Sequence, residues 1–403
     1  MLTVTIILIF IISLLIIERQ MVQRSIRYLS LRVHVNGTRG KSSVTEYVAA
    51  GLSYSQPDVM GKVTGIVPSI IHNGTKTVIG RQGVARVQEQ INIIRFARRK
   101  KVRNLVLECM SIAPELQRME ALFFQPHLYV ITNIRDDHRE EMGITPELQA
   151  EAICSAIPKN CKVVTNERRF LNKIKEKATE KNSTVIVTEE LDNALRNRLP
   201  FGIFPENVAL ALAVCKEAGV ERNNSEPGIM NCILNSESPL KTVSNGEKTI
   251  YFLNAFSAND IDSTESFINH WTKHIDHHGE ITVILNTRSD RPLRSQLFAE
   301  WIAKDHHSYQ RIILTGNHAG RARSSLIKAG AENAKIESWK GELLKDIKTR
   351  LINTLPDRSL VVGVGNIGGD GFHIINQLKK MGEQAINLEG TASHKGAAFG
   401  SPV

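Results

Sequence analysis

The sequence predicts an α/β chain: an apolar N-terminal anchor helix, a central domain with a doubly wound parallel sheet, and a C-terminal Rossmann-like α/β domain. Three observations carry this. Apolar runs of strand length alternate with stretches of helical period along most of the chain, which is the pattern of a parallel sheet. At 403 residues the chain exceeds one ordinary core, so two domains are expected. A hydrophobic content of 42% with 27 glycines suits packed α/β structure and excludes a disordered chain.

The first element is the run MLTVTIILIFIISLLII, residues 1–17, which carries no charge. It has the minimum length for crossing a bilayer, with flanking residues able to snorkel. No basic residue precedes it and no small-residue cleavage site follows, unlike a removable signal peptide. An apolar run without a polar face at a terminus points to an anchor, which we assign to residues 1–20. Arg19, Arg24 and Arg27 come directly after it. That charge placement predicts a single-pass cell-membrane protein with the domains that follow in the cytoplasm.

The next element is the most informative. Leu31–Val35 is apolar; His34–Ser43 reads HVNGTRGKSS; Val44, Tyr47, Val48, Gly51 and Leu52 then follow at i, i+3, i+4, i+7 and i+8. Strand, glycine-rich turn and amphipathic helix in that order form a phosphate site, because turn amides and the helix N-terminus point at the anion. Gly37, Thr38, Arg39, Gly40, Lys41, Ser42 and Ser43 are therefore the candidate nucleotide-binding residues. Lys41 reaches the outer phosphates and the Ser42 hydroxyl ligates Mg²⁺. The written loop is GTxGK[ST], shorter than GxxxxGK[ST], since Val35 stands where the longer pattern has glycine. The chain reads as a nucleotide-binding protein.

Further strands end in polar chemistry. Asn104–Leu107 leads into Glu108, and Leu128–Thr132 leads into Asn133, Asp136, Asp137 and His138. Ligands of a doubly wound sheet sit beyond the carboxyl ends of its strands, so Glu108 and His138 fall where the phosphates belong. Either could serve a metal between the γ-phosphate and an acceptor. Strands at Lys162–Thr165 and Thr184–Thr188 continue the alternation, and Pro205–Ala218 reads as a helix. The polar stretch Asn223–Gly246, with Pro227, Gly228 and Pro239, reads as a linker, giving domains at 21–236 and 237–403.

In the second domain, strands are expected at Thr249–Leu253, Ile281–Leu285, Arg311–Leu314 and Leu360–Val362. Helices are expected at Ser263–His274, Ser295–Lys304 and Gly341–Leu355. The loops SAND (Ser257–Asp260), NTRSDR (Asn286–Arg291) and GVGNIGG (Gly363–Gly369) gather polar groups at strand ends. The last is either a plain turn or a dinucleotide-type loop, though it lies too near the C-terminus to open a βαβ unit. Arg288 and Asp290 are placed to grip nucleotide or substrate.

The five cysteines are odd in number, scattered and without CxxC spacing, which argues against a zinc site or disulfide framework. The formal charge is +10, densest at Arg95, Arg98, Arg99, Lys100, Lys101 and Arg103. Such a run can be a solvated face, lie on anionic lipid, or attract a polyanionic substrate. With 5% aromatic residues there are few stacking platforms, so nucleic acid is not an expected partner.

A phosphate loop alone does not name a reaction. An enzyme that activates a carboxylate with ATP must hold nucleotide, acyl-phosphate and amine together away from water, and two domains suit that task. GTRGKS, the Glu108 strand end, TNIRDDH (Thr132–His138), the PENVALALA helix and the three C-terminal loops occur in the order of the Mur ligase superfamily, which the chain resembles. It is more closely similar to the ligase subunits of bacterial poly-γ-glutamate (capsule) synthases. The shared features are the anchor, GxRGKS, LECM (Leu107–Met110), DHxxxMG (Asp137–Gly143), NxFxAND (Asn254–Asp260), NxRxDR (Asn286–Arg291) and GVGNI (Gly363–Ile367).

The resemblance implies a Mur ligase-like fold and an ATP- and Mg²⁺-dependent amide ligase acting on glutamate and poly-γ-glutamate. It implies that Lys41 and Ser42 bind phosphate and Mg²⁺, and that Glu108 and His138 serve a second metal. Asn207 would lie near the adenine, and Arg288 and Asp290 on the face that closes on nucleotide. Partners would be the membrane and other integral-membrane subunits of a capsule synthase, with a homo-oligomer also compatible. Two departures stand out. Glu141–Pro158 holds no lysine to be modified as a metal bridge, and about thirty residues before the loop leave no room for a UDP-binding domain. A folylpolyglutamate-type ligase, or a non-catalytic ATP-binding subunit of an export complex, are the alternatives.

Overall fold

The computed structural model describes residues 2–65, 68–72, 75–80, 86–135, 139–200, 202–236, 239–256, 258, 261–273, 275–277 and 281–379. Two units, Met1–Glu237 and Ser238–Val403, each carry their own sheet. In the first, the strands are β1 (Leu31–Asn36), β2 (Val59–Val63), β3 (Ser69–His72), β4 (Thr75–Val78), β5 (Asn104–Glu108), β6 (Leu128–Ile131), β7 (Lys162–Thr165) and β8 (Thr184–Val187). Their order is β4-β3-β2-β5-β1-β6-β7-β8; β3 runs antiparallel to its neighbours β2 and β4, and the other pairings are parallel. β1 is central, flanked by β5 and β6. The chain leaves it on one side toward β2, and β5 returns across it to β6, so its carboxyl end is a topological switch point.

The near-continuous apolar strands are buried on both faces, as parallel sheets require. On one face Val33, Val35, Val106 and Val130 pack under the helices Lys41–Ser53, Pro205–Glu217 and Arg222–Leu234. On the other, Leu105 and Leu107 meet Ile93, Ile94 and Ala97 of the Val87–Arg99 helix, while Tyr129 and Ile131 meet Ile153 and Ala150. Each such aliphatic burial stabilises the fold by roughly 1.5–3 kcal/mol against leaving the side chain in water.

The apolar N-terminal run is part of one helix, Leu2–Tyr28. It is the one described helix long and apolar enough to cross a membrane. Its first part is exposed throughout, whereas Val22, Ser25 and Ile26 are buried. Val22 and Ile26 join the Ile93, Ile94 and Ala97 cluster, so this helix is welded to the first unit through its last turns.

The second unit holds β9 (Leu240–Ser244), β10 (Thr249–Asn254), β11 (Ile281–Thr287), β12 (Arg311–Gly316), β13 (Ile336–Ser338) and β14 (Leu360–Gly365), in the order β13-β12-β11-β14-β10-β9. All pairings are parallel except that of edge strand β9.

Three sequence expectations fail locally. Much of the stretch read as a linker is the helix Arg222–Leu234, which contains Pro227. Burial of Ile229, Met230 and Ile233 against the Lys41–Ser53 helix outweighs the proline's lost hydrogen bond. The single helix read over Gly341–Leu355 is a 3₁₀ turn, Gly341–Leu344, then a helix, Ile347–Thr354. Asp346 breaks it by accepting a hydrogen bond from the Thr349 amide and capping a new start. β2, β3, β4, β9 and β13 lie outside every expected strand; each is short, and edge strand β4 is exposed throughout.

Candidate active site at the phosphate loop

The loop between β1 and the Lys41–Ser53 helix lies at the switch point. Gly40 is the helix N-cap in a left-handed conformation, φ 76°, and no side chain caps the amides beyond it. Those N–H groups and the helix dipole form an open anion site. Glycine is required at Gly37 and Gly40 on two counts. Both have positive φ, and a Cβ would fall 2.1 Å from Thr132 Oγ1 at Gly37 and 2.7 Å from Asn207 Oδ1 at Gly40. Asn207, on the Pro205–Glu217 helix, is thus set directly against the loop.

Lys41 folds over the loop, donating from Nζ to the Gly37 carbonyl at 2.7 Å and the Thr38 carbonyl at 3.3 Å. Ser42, one residue on, donates to Glu108, its Oγ lying 2.9 and 3.0 Å from the two carboxylate oxygens. The β1–β5 register, which pairs Val35 with Glu108, brings the two together. Glu108 is nearly fully buried and also accepts from the Thr64 amide at 2.6 Å. A hydroxyl and a carboxylate converging at an anion-binding helix end are the oxygen donors a hard divalent cation takes beside phosphate. The residues present fit such a divalent cation.

Asn133, which follows β6, was missed as a site residue. Its side chain accepts from Thr38 Oγ1 at 2.8 Å and from the Arg39 amide at 3.1 Å, and donates to the Arg39 carbonyl at 3.2 Å. Thr38 in turn accepts from the Arg135 amide. Below the loop, Asn36 accepts from the Gly37 amide and donates to Gln117 and Tyr129, each of these bonds at 2.8 Å. Only the β1–β6 register could have revealed the Asn133 clamp. Ser43, half-buried, completes the first helical turn. His138, with Asp136 and Asp137, lies outside the described residues.

A buried polar cluster supports the Glu108 strand end. Glu120 accepts from Gln90 Nε2 at 3.1 Å, from the Met110 amide at 3.3 Å and from the Ser111 hydroxyl, while His34 Nε2 stands 3.6 Å away. Gln90 also donates to the Glu108 carbonyl at 2.8 Å. Burial pushes the Glu120 carboxyl upward, but the groups around it, His34 first, outweigh this and hold it below its ordinary value.

In the second unit the carboxyl ends of β11, β12 and β14 are knitted together. Asn286 donates to the Gly368 carbonyl at 2.8 Å and accepts through its backbone carbonyl from the Asn366 amide at 3.0 Å. Asp370 accepts from Thr315 Oγ1 at 2.8 Å and from the Gly316 amide at 3.0 Å. The GVGNIGG segment thus takes a structural part at this edge. Arg288, half-buried, and Asp290, exposed, follow β11 and pair with each other at 2.8 Å. Of SAND, only Ala258 lies among the described residues.

The Mur ligase middle domain family matches residues 35–210, and the poly-gamma-glutamate synthase CapB C-terminal domain family matches residues 240–381. The capsule biosynthesis protein CapB of Bacillus anthracis is 28% identical over 372 residues, spanning 90% of this chain and 79% of that protein. The PGA synthase CapB of Bacillus subtilis (strain 168) is 29% identical over 385 residues, spanning 90% and 94%. Among solved structures, a bifunctional folylpolyglutamate synthase/dihydrofolate synthase of Yersinia pestis, complexed with AMPPNP and Mn ion, matches with a TM-score of 0.67 at 14% identity over 90% of this chain and 92% of its own. MurF of Acinetobacter baumannii matches at 0.58 and 13% identity, over 90% and 79%.

Loop, sheet and domain matches define an ATP-dependent amide ligase of the Mur ligase type. More particularly, the chain joins a Mur ligase middle domain to a poly-gamma-glutamate synthase CapB C-terminal domain.

Proposed function

We propose that this ligase extends poly-γ-glutamate at the membrane, activating a carboxylate with ATP and joining it to the amine of glutamate. The carrying observation is the Ser42–Glu108 pair at an uncapped helix N-terminus, in a chain whose second unit matches the CapB domain. The relatives named capsule biosynthesis protein and PGA synthase supply the substrate class.

The loop amides and the helix N-terminus bind the ATP phosphates, and Lys41 exchanges its two loop carbonyls for the β- and γ-phosphates. Ser42 and Glu108 hold Mg²⁺, which when bound neutralises phosphate charge. His138 is assigned by sequence to a second metal. Asn207 supports the loop on the nucleotide side, and Arg288 and Asp290 are assigned by sequence to nucleotide or substrate. A carboxylate oxygen of the acceptor attacks the γ-phosphorus, releasing ADP and leaving an acyl-phosphate. The amine of glutamate then attacks the carbonyl carbon, loses a proton, and expels phosphate. Amides preorganised around the phosphates favour this transfer because they are already oriented when charge develops.

The apolar part of Leu2–Tyr28 crosses the cell membrane once, with both units in the cytoplasm beside other integral-membrane subunits. ADP release from the purified chain should require glutamate and an acceptor polymer together. ADP formed at the same rate without either would leave an ATPase subunit in place of a ligase.

A further inference from the structure

The densest run of basic residues, Arg95 to Arg103, lies beside the base of the N-terminal helix. Glu18, the first charge after the apolar run, accepts from Arg95 Nη2 at 3.0 Å. Ten residues further along the same helix, the Tyr28 ring lies under the Arg103 guanidinium, 4.6 Å from its centroid. The two segments therefore run in the same direction, fixed by the buried contacts of Val22 and Ile26 with Ile93, Ile94 and Ala97. Arg95, Arg98 and Arg99 fall at i, i+3 and i+4 on the Val87–Arg99 helix, forming one ridge that starts at the level of Glu18. Lys100 and Lys101 follow it in the turn that ends the helix. Arg98, Arg99, Lys100 and Lys101 are exposed, and among the described residues none is paired with a carboxylate.

At about 1.5 Å per helical residue, Arg98 and Arg99 stand about one turn beyond the end of the apolar run. The interfacial layer on each side of a bilayer is roughly 5–8 Å deep, and the screening length in physiological salt is about 8 Å. We infer that this ridge is a second membrane contact, binding anionic lipid headgroups beside the spanning helix and so fixing how the first unit stands on the bilayer. The inference rests on the reading of the apolar run as membrane-spanning. Charge complementarity and the rigid tie to that helix both favour lipid over a freely diffusing polyanion. Each such residue is expected to favour an anionic surface about fivefold.

The test uses the full chain reconstituted in phosphatidylcholine vesicles carrying a trace of spin-labelled phosphatidylglycerol or spin-labelled phosphatidylcholine. Lipid in contact with the spanning helix appears as a motionally restricted component. The native chain should enrich phosphatidylglycerol several-fold over phosphatidylcholine in that component. A variant combining Arg98→Gln, Arg99→Gln, Lys100→Gln and Lys101→Gln should keep the component and its ATP binding but lose most of the preference. Equal association of both lipids with the native chain overturns the inference, as does a preference that the variant retains. Loss of poly-γ-glutamate retention by the variant, with lipid preference unchanged, also overturns it and gives the ridge to the polymer. Absence of any restricted component refutes the spanning helix itself, and the inference falls with it.

Discussion

The Ser42 hydroxyl sits between both carboxylate oxygens of Glu108, at 2.9 and 3.0 Å, with the Glu108 strand end held by Thr64 and Gln90. This contact joins the phosphate loop of β1 to the polar end of β5, and it carries the metal assignment. Glu108→Gln keeps the shape and removes the charge. Turnover should fall roughly 10²–10³-fold, the scale of losing one preorganised electrostatic group. ATP affinity should change far less, because the charge acts mainly in the transition state. Initial rates across a Mg²⁺ titration check this; unchanged rates at every concentration would remove Glu108 from the site.

Lys41→Ala should abolish polymer synthesis with little change in thermal stability. Among the described residues, Lys41 hydrogen-bonds to the Gly37 and Thr38 carbonyls and belongs to no apolar cluster. Gly40→Ala should abolish it by another route, since the left-handed backbone and the approach of Asn207 both oppose a side chain. Nucleotide binding by calorimetry, beside a melting curve, separates the two.

Asn133→Ala should loosen the outer rim of the loop. It deletes the acceptor of Thr38 and of the Arg39 amide together, a loss of about 1–3 kcal/mol where partners stay buried. We expect a lower melting temperature and a raised KM for ATP. A variant with wild-type values in both would show that the backbone alone holds the loop.

Glu120 gives the acid side of the stability profile. Its carboxyl is held below its ordinary value of 4.5, with burial opposing and the polar groups around it, His34 first, prevailing. The folded group is thus the stronger acid. Its contribution is fully present above the unfolded value and is lost as pH falls through the folded one. Glu120→Gln should be less stable than the native chain at pH 7 and should lose less stability between neutrality and about pH 3. Urea midpoints across that range measure it, and parallel profiles would contradict the assignment.

The phosphate loop was legible because its chemistry is written in residue types: glycines for the backbone, lysine and serine for the anion and cation. Glu108 was legible because it ends an apolar strand. Asn133 was noted at a strand end, but its grip on Thr38 depends on which strand neighbours β1, and strand order is not written in local sequence. The helix holding Pro227 was hidden because its stability comes from Ile229 and Ile233 meeting a helix far away in sequence. β4, Thr75–Val78, has every residue exposed, so no alternation of apolar and polar residues marked it.

The central claim is transfer of the γ-phosphoryl group to a carboxylate before the amide forms. An acceptor polymer labelled with oxygen-18 in its carboxylates, supplied with ATP, Mg²⁺ and glutamate, reads it directly. The account predicts that one labelled oxygen appears in the released phosphate for each bond made, since the acyl-phosphate breaks with that oxygen leaving on phosphorus. Polymer extension accompanied by phosphate free of label would contradict it.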